Sequence, residues 1–216
     1  MTQTPPLPLT LALPKGRLFD LVQKHFAGKG FVFDFNDRKL TTLDSTGTLQ
    51  IILVKNADLP TYVHHGIAGL GLCGDDVLYE SGYEFPRLLS FDFGQTRMAL
   101  AARKDHSRPP GFTSGPLAGS SHMTIATKFT RFTRDYFHGL GVPVKIIRLD
   151  GSVELAPVLG LAPYIVDLVE TGSTLKANGL EVLETLGEIG VNLFANAAYY
   201  KLRYQEIGAL VDTLRK

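Results

Sequence analysis

Glu154-Leu155-Ala156-Pro157-Val158-Leu159-Gly160-Leu161-Ala162-Pro163-Tyr164-Ile165-Val166-Asp167-Leu168-Val169-Glu170-Thr171-Gly172-Ser173-Thr174-Leu175 is the stretch on which the reading of this chain turns. Ile165, Val166, Leu168 and Val169 form a short apolar run that stops at Glu170-Thr171-Gly172-Ser173-Thr174. A run of that length bounded by turn residues is a buried strand followed by a turn. Hydroxyls and a glycine suit an anion, because side-chain O–H groups and exposed backbone N–H groups can wrap a phosphate. A helix expected to open at Leu175-Lys176-Ala177-Asn178 would aim its positive end at the same point. An ordinary capped turn has the same composition, and these residues alone leave both readings open. The nucleotide-binding P-loop is excluded, since the loop has neither its lysine nor its glycine spacing. Asp167 and Glu170 flank the turn, and a carboxylate beside a phosphate is repelled unless it faces hydroxyls or a metal ion. A sugar phosphate meets both demands, with its phosphate on Thr171, Gly172, Ser173 and Thr174 and its ribose hydroxyls or Mg2+ on Asp167 and Glu170.

Outward from this stretch, apolar runs at 9–13, 49–54, 97–102, 123–126, 144–149 and 191–195 read as further strands. Between them lie helical faces. Leu18, Leu21, Val22 and Phe26 keep one side, as do Phe132, Tyr136, Phe137 and Leu140, which end at Gly141. Ile207, Leu210, Val211 and Leu214 make a last amphipathic helix. The alternation predicts an α/β fold. Residues 104–121, rich in Pro, Gly and Ser, read as a surface loop.

With 216 residues the chain can bury a sizeable core as one domain or two small ones. Lys and Arg number 22 against 21 Asp and Glu, so there is no global field to draw in nucleic acid. No apolar stretch is long enough to span a membrane, and the first residues lack a basic region followed by an apolar one, which makes the cytoplasm the expected location. Cys73 is the single cysteine, so no intrachain disulfide or thiolate cluster can form, and its apolar setting predicts a buried, inert thiol. His64 and His65 are adjacent in an expected helix, about 100° apart around its axis, which is poor geometry for sharing a metal.

Three further constellations carry chemistry. Lys15-Gly16-Arg17 follows the first strand, at the carboxyl edge where open α/β sheets bind ligands. Lys55 ends the second strand as an expected phosphate ligand, ahead of a helix that Asp58 would cap and Pro60 would enter in its first turn. Ser152 reads as a helix cap with Glu154 two residues on, placed either for the helix dipole or for a ribose hydroxyl. In Gly69-Leu70-Gly71-Leu72-Cys73-Gly74-Asp75-Asp76 the strand lies inside the glycines, so this is not a dinucleotide fingerprint.

These residues resemble the ATP phosphoribosyltransferases of histidine biosynthesis. The family's signature runs Glu, five residues, Gly, one residue, a small residue, two residues, Ile or Val, one residue, Asp, an aliphatic, two residues, Ser or Thr, Gly, one residue, Thr, then Leu or Met. At those places stand Glu154, Gly160, Ala162, Ile165, Asp167, Leu168, Thr171, Gly172, Thr174 and Leu175, and every specified position agrees. Leu13-Pro14-Lys15-Gly16-Arg17-Leu18, Asp58-Leu59-Pro60-Thr61-Tyr62-Val63, Ala126-Thr127-Lys128 and Gly151-Ser152-Val153-Glu154 also look like family landmarks, so the likeness covers nearly the whole chain. It implies two α/β lobes like the type II periplasmic-binding-protein fold, with the active site in the cleft between them. Lobe I would comprise residues 1–92 and 186–216, and lobe II residues 93–185, with the chain crossing near 91–95 and 180–188.

The reaction implied is attack of adenine N1 of ATP on C1 of phosphoribosyl pyrophosphate, with pyrophosphate leaving as its Mg2+ complex. In that reading Lys15, Arg17, Asp167 and Glu170 are catalytic, and Asp167 is a contact for Mg2+. Glu154, Thr171, Gly172, Ser173, Thr174, Lys55 and Gly74 bind substrate, Gly74 because its region lines the nucleotide end of the cleft in the family. The family has long members with a C-terminal regulatory domain and short ones without it. This chain looks like a short form, which implies a homodimer within a hetero-oligomer containing a regulatory subunit resembling histidyl-tRNA synthetase. Departures stand at Lys55, where Arg is usual, Gly69, where Asp is frequent, Pro163, where Asp is common, and Thr130, where Pro is frequent. A bilobal solute-binding module and a free-base phosphoribosyltransferase are the competing readings. The first predicts a signal peptide or a fused DNA-binding segment, and the sequence reads as neither; the second does not explain Lys15-Gly16-Arg17 or Glu154 with Gly160.

Overall fold

The computed structural model describes residues 7–35, 39–106 and 123–216, so most of the expected loop at 104–121 lies outside the described residues. In chain order the elements begin with β1 (Leu9–Pro14), α1 (Arg17–Gly28), β2 (Thr41–Leu43), β3 (Leu49–Val54), α2 (Leu59–His64), β4 (Leu70–Gly74), α3 (Asp75–Ser81) and β5 (Arg87–Arg103). They continue with β6 (Met123–Thr127), α4 (Thr130–Gly139), β7 (Val144–Arg148), α5 (Leu155–Val158), β8 (Tyr164–Val169), α6 (Ser173–Ala177), β9 (Leu180–Ala195), α7 (Ala197–Leu202) and α8 (Tyr204–Arg215). Two compact units result, Met1–Gly94 with Gly190–Lys216, and Gln95–Ile189. The chain passes from one to the other inside β5 and returns inside β9.

In the first unit the strands lie in the order β2-β3-β1-β4-β9. β1 is parallel to β3 and β4, while β2 and β9 are antiparallel to their neighbours. Leu11, Leu13, Leu72 and Leu193 face Val22 and Phe26 of α1 and Ile207 and Val211 of α8. Ala12, Cys73 and Phe194 face Leu59 and Val63 of α2 and Val77 of α3. Both faces of the central strands are thus covered, which is why their sequences read as unbroken apolar runs.

The second unit repeats the arrangement with β5-β8-β6-β7, in which β6 is parallel to β7 and β8 and β5 is antiparallel to β8. One face packs Ala99, Ala101, Ile165 and Val169 against Val153, Ala156 and Leu175. The other packs Met98, Leu100, Ile125 and Val166 against Phe129 and Phe137.

The α/β class holds, and several local expectations change. Two strands read as 97–102 and 191–195 are the ends of much longer ones, β5 and β9. Their remaining parts carry Ser90, Asp92 and Gln95, or Glu181, Glu184 and Glu188, so the apolar pattern breaks before the strand does. β2 is a three-residue edge strand with two threonines, too short and polar to show a pattern. Leu21 and Leu140 lie on the expected helix faces but are exposed. Asp58 precedes α2 with helical backbone angles and makes no side-chain cap bond, because a short 3-10 turn at Asn56–Asp58 already leads into the helix. The helix after the Thr171 turn opens at Ser173, two residues before Leu175.

Gly69 sits against the side chain that fills its place. A Cβ there would lie 2.1 Å from the ring of Tyr199. The Tyr199 hydroxyl accepts the Thr10 N–H at 3.2 Å, and Gly69 donates its own N–H to Thr10 Oγ1 at 2.7 Å. The room an aspartate would need is therefore occupied by an aromatic ring tied to β1. Gly69→Ala is expected to lower unfolding stability by about 1–3 kcal/mol through overpacking. In denaturant titrations Tyr199→Ala should recover part of that loss when combined with it, and strictly additive losses would show that the ring is not the obstacle.

Candidate active site

Three parallel strands of the second unit, β6, β7 and β8, end at one edge, and side chains there escape the covering helices. Asp167 is the exception within a strand: it is half-buried, two residues before β8 ends, and its Oδ1 accepts the Leu168 N–H at 2.9 Å. Burial pushes the Asp167 carboxyl above the usual aspartate range; the Leu168 N–H and the nearby Lys128 ammonium pull it back, and Glu154 pushes it up again. That set of influences gathers Asp167, Glu154 and Lys128 into one electrostatic neighbourhood.

Beyond Val169 the turn is exposed at Glu170, Thr171, Ser173 and Thr174. Gly172 adopts φ 77°, a left-handed conformation that glycine takes without strain, and this lets the chain turn into α6. Thr171 Oγ1 and Ser173 Oγ lie 3.0 Å apart, so the hydroxyls converge. The sequence-expected arrangement of hydroxyls and backbone after a strand is present, with Ser173 and Thr174 in the first turn of α6. Glu170 has a partner within the protein.

Glu154 comes to this neighbourhood by a route other than the expected cap. Ser152 stands at φ 47°, and α5 begins only at Leu155, so the Ser152 hydroxyl caps nothing. Its carbonyl accepts the Leu155 N–H at 3.1 Å, closing a tight turn in which Glu154 takes helical backbone angles.

The sequence alone assigns no role to Lys128, which closes the Ala126-Thr127-Lys128 landmark. Thr127 explains how Lys128 is placed. Fully buried, Thr127 donates its hydroxyl to the Val166 carbonyl at 2.6 Å and accepts the Phe129 N–H at 2.9 Å. The turn bearing Lys128 is thereby pinned to the residue before Asp167. The signal available in the sequence was positional: Lys128 directly follows an apolar strand, as Lys15 and Lys55 do.

In the first unit β1, β3 and β4 are parallel, so Lys15, Lys55 and Gly74 share their carboxyl edge. Lys15 donates its N–H to the Val54 carbonyl at 3.1 Å, and Gly16 at φ 98° turns the chain directly into α1, whose first residue is Arg17. Lys15, Gly16, Arg17 and Lys55 are all exposed. Gly74 is buried, pairs with Val191 of β9 and stands where β4 leads into α3. The next residue, Asp75, is held by Arg87 at 2.9 Å and by Asn192 Nδ2 at 3.0 Å. Cys73 is buried, and burial, reinforced by Asp76 and Asp75, pushes its thiol well above its ordinary value, in keeping with an inert role. His64 stacks on Tyr83 with ring centroids 4.0 Å apart. Among the described residues no group of three or more His, Cys, Asp and Glu could hold a metal ion. A cavity of about 490 Å3 lies elsewhere, at the opposite edge of the first unit, lined by Leu9, Thr48, Leu49 and Arg203. It contains none of the residues discussed so far for the chemistry.

The profile of the ATP phosphoribosyltransferase family, HisG, matches residues 55–216. The chain belongs to the ATP phosphoribosyltransferase family. An ATP phosphoribosyltransferase of Caldicellulosiruptor saccharolyticus is 42% identical over 96% of this chain and 98% of its own length. One from Sorangium cellulosum is 40% identical over 96% of this chain and 95% of its own. Among solved structures, the ATP phosphoribosyl transferase (HisG:HisZ) complex from Thermotoga maritima contains a chain with a TM-score of 0.79 and 34% identity, covering 96% of both chains. The structure of Tv2483 bound to L-arginine aligns with a TM-score of 0.55 at 12% identity, a likeness of fold alone. Asp167 of this chain is half-buried and follows an apolar run, inside the span that the family profile matches.

A raised carboxyl pKa means that the ionised form of Asp167 is disfavoured in the native state. The native state is penalised above the folded pKa, and the penalty vanishes as pH falls below the ordinary aspartate value of about 3.9, where folded and unfolded chains are both protonated. Asp167→Asn, which keeps an oxygen for the Leu168 N–H, is therefore expected to raise the melting temperature at pH 7. The gain should shrink progressively toward pH 3 in scanning calorimetry, and a melting temperature lowered at pH 7 would contradict it.

Proposed function

We propose that this phosphoribosyltransferase moves the 5-phosphoribosyl group of phosphoribosyl pyrophosphate to N1 of the adenine of ATP, giving phosphoribosyl-ATP and pyrophosphate. It is the first step of histidine biosynthesis in the family. The observation that carries the residue assignment is the placement of the whole acid-to-hydroxyl stretch, from Asp167 to Thr174, at a strand end that opens through Gly172 into a helix.

The 5-phosphate rests on the hydroxyls and backbone of Thr171, Gly172, Ser173 and Thr174. Asp167 and Glu170 face the ribose hydroxyls, and Glu154 adds a third acceptor. As the bond from C1 to pyrophosphate lengthens, positive charge grows on the sugar ring, and nearby carboxylates stabilise it more than they stabilise the neutral ground state. Adenine N1 carries a free lone pair and no proton, so attack on C1 requires no general base. The bond from N1 to C1 forms as the bond from C1 to oxygen breaks, and the electron pair leaves with pyrophosphate. Lys15 and Arg17 neutralise that leaving charge, while Lys55 grips a nucleotide phosphate as a point charge in place of an arginine fork.

The donor set fits Mg2+ carried by the substrate's phosphates, since the described residues form no protein cage and Asp167 offers one carboxylate, the manner in which Mg2+ is commonly held. When bound, Mg2+ lowers the charge of the leaving pyrophosphate. By the same reading the chain works in the cytoplasm, as a homodimer associated with a regulatory subunit. The Thermotoga maritima relative is a HisG:HisZ complex, which supports that assembly. Among the described residues no helix is long and apolar enough to cross a membrane.

Thr171→Ala with Thr174→Ala is expected to raise the KM for phosphoribosyl pyrophosphate by about tenfold or more, the scale of lost hydrogen bonds to a charged group, with a smaller effect on the KM for ATP. Steady-state formation of phosphoribosyl-ATP measures both constants, and an unchanged sugar KM would remove the loop from the site. The same assay with and without the regulatory subunit should give its full rate only with it; full activity and histidine inhibition of the isolated chain would make that partner unnecessary.

A further inference from the structure

Arg97 lies in the second unit, on β5, opposite Val169 of β8. Val169 is the last residue of its strand, so Arg97 stands beside the point where the hydroxyl loop begins. Side chains along a strand alternate between faces, which puts Arg97 on the face of Ala99 and Ala101. That face packs Ile165, Val169 and Leu175, and through the pair Ala99 with Asp167 it also carries Asp167. Diagonal neighbours on one face of an antiparallel pair are about 7–8 Å apart, within reach of a long side chain. Arg97 thus shares a sheet face with the acid that precedes the loop and with Leu175, the residue that anchors α6 behind it.

The state of its side chain is unusual. Arg97 is half-buried, and its Nε is enclosed and donates to nothing. A guanidinium carries five N–H donors in a rigid fork and stays charged at any ordinary pH. Leaving one of those donors buried and unmatched carries a desolvation cost. In the same unit Arg103 and Arg148 behave otherwise: each donates from its Nε to a nearby aspartate, Asp105 at 3.1 Å and Asp150 at 3.2 Å. A buried, unmatched donor on a cation beside a loop of hydroxyls is the complement of a phosphate oxygen.

Resting on the phosphoribosyltransferase reading above, we propose that Arg97 is a binding residue for the 5-phosphate of the sugar substrate, supplying the cation that the hydroxyl loop itself lacks. The loop from Glu170 to Thr174 contains no Lys or Arg, so its hydroxyls and N–H groups can orient a phosphate without neutralising it. Arg97 supplies that charge from the neighbouring strand. This assigns the two phosphate ends of the substrate to different cations, Arg97 for the 5-phosphate and Lys15 with Arg17 for the pyrophosphate.

Calorimetric titration of the full chain with ribose 5-phosphate, and separately with inorganic pyrophosphate, tests the assignment in the wild type, Arg97→Met and Arg97→Lys. Arg97→Met should weaken ribose 5-phosphate by about tenfold or more, the scale of one lost hydrogen bond to a charged group, and leave pyrophosphate affinity unchanged. Arg97→Lys should recover part of the loss by restoring charge without the fork. Where Met is not tolerated by the fold, as judged by thermal melting, Arg97→Gln carries the same expectation. Unchanged ribose 5-phosphate affinity in the neutral variant overturns the inference, and so does a loss confined to pyrophosphate. The underlying reading fails in a different pattern: Thr171→Ala with Thr174→Ala would then leave ribose 5-phosphate affinity intact. If only Arg97 is misassigned, the loop variant still weakens binding.

Discussion

A parallel strand covered on both faces has little place for a charged side chain until it ends, and that constraint arranges this protein. In the first unit β1, β3 and β4 are enclosed by α1 and α8 on one side and α2 and α3 on the other. In the second, β6 and β8 are enclosed in the same way. Lys15, Lys55, Lys128 and the Glu170 turn therefore all fall just beyond strand ends, and because neighbouring strands are parallel the ends coincide at one edge of each unit. The chemistry collects at those edges because the apolar packing excludes it from the rest of the sheet.

Asp167 departs from that rule, and the departure is informative. It lies within β8, where burial works against its charge, and the groups that offset burial are few: one backbone N–H and one ammonium. A carboxylate kept in such a place at the expense of stability is what a site needing concentrated negative charge would retain. Thr127 gives the same neighbourhood its rigidity. Its buried hydroxyl satisfies two backbone groups at once, one on β8 and one in the turn after β6, so the spacing between Lys128 and Asp167 is not left to flexible side chains. Arg97 is the opposite case, a buried donor with nothing to donate to. The Thr127 hydroxyl holds the frame of this unit, and the unmatched Arg97 donor beside the loop is the group a substrate phosphate would complement.

Gly69 shows how a missing side chain is accommodated by packing. At position 69 this chain has a glycine with the Tyr199 ring against it, and that tyrosine is bonded through its hydroxyl to β1. The space beside Gly69 is taken by a side chain distant in sequence, so the first unit keeps a filled interior there. A substitution considered one position at a time reads as a lost functional group; considered with its contacts it is a repacking.

The sequence by itself determined the α/β class, the apolar strands, the final helix over Ile207 to Leu214 and the hydroxyl turn after β8, because each depends on residues close together in the chain whose period or composition is local. It also placed Lys15, Arg17 and Lys55 after strands. Tertiary structure alone decided the rest. The polar halves of β5 and β9 are strands only because neighbours pair with them, Ser152 takes a left-handed conformation instead of capping a helix, and α6 opens early at Ser173 once Gly172 has turned the chain. Lys128 and Arg97 acquire meaning only through strands that lie beside them in space, Val166 with Asp167 for one and Val169 for the other. Pairing between segments far apart in sequence has no local period, and so the residues it brings together could be seen in the chain but not joined.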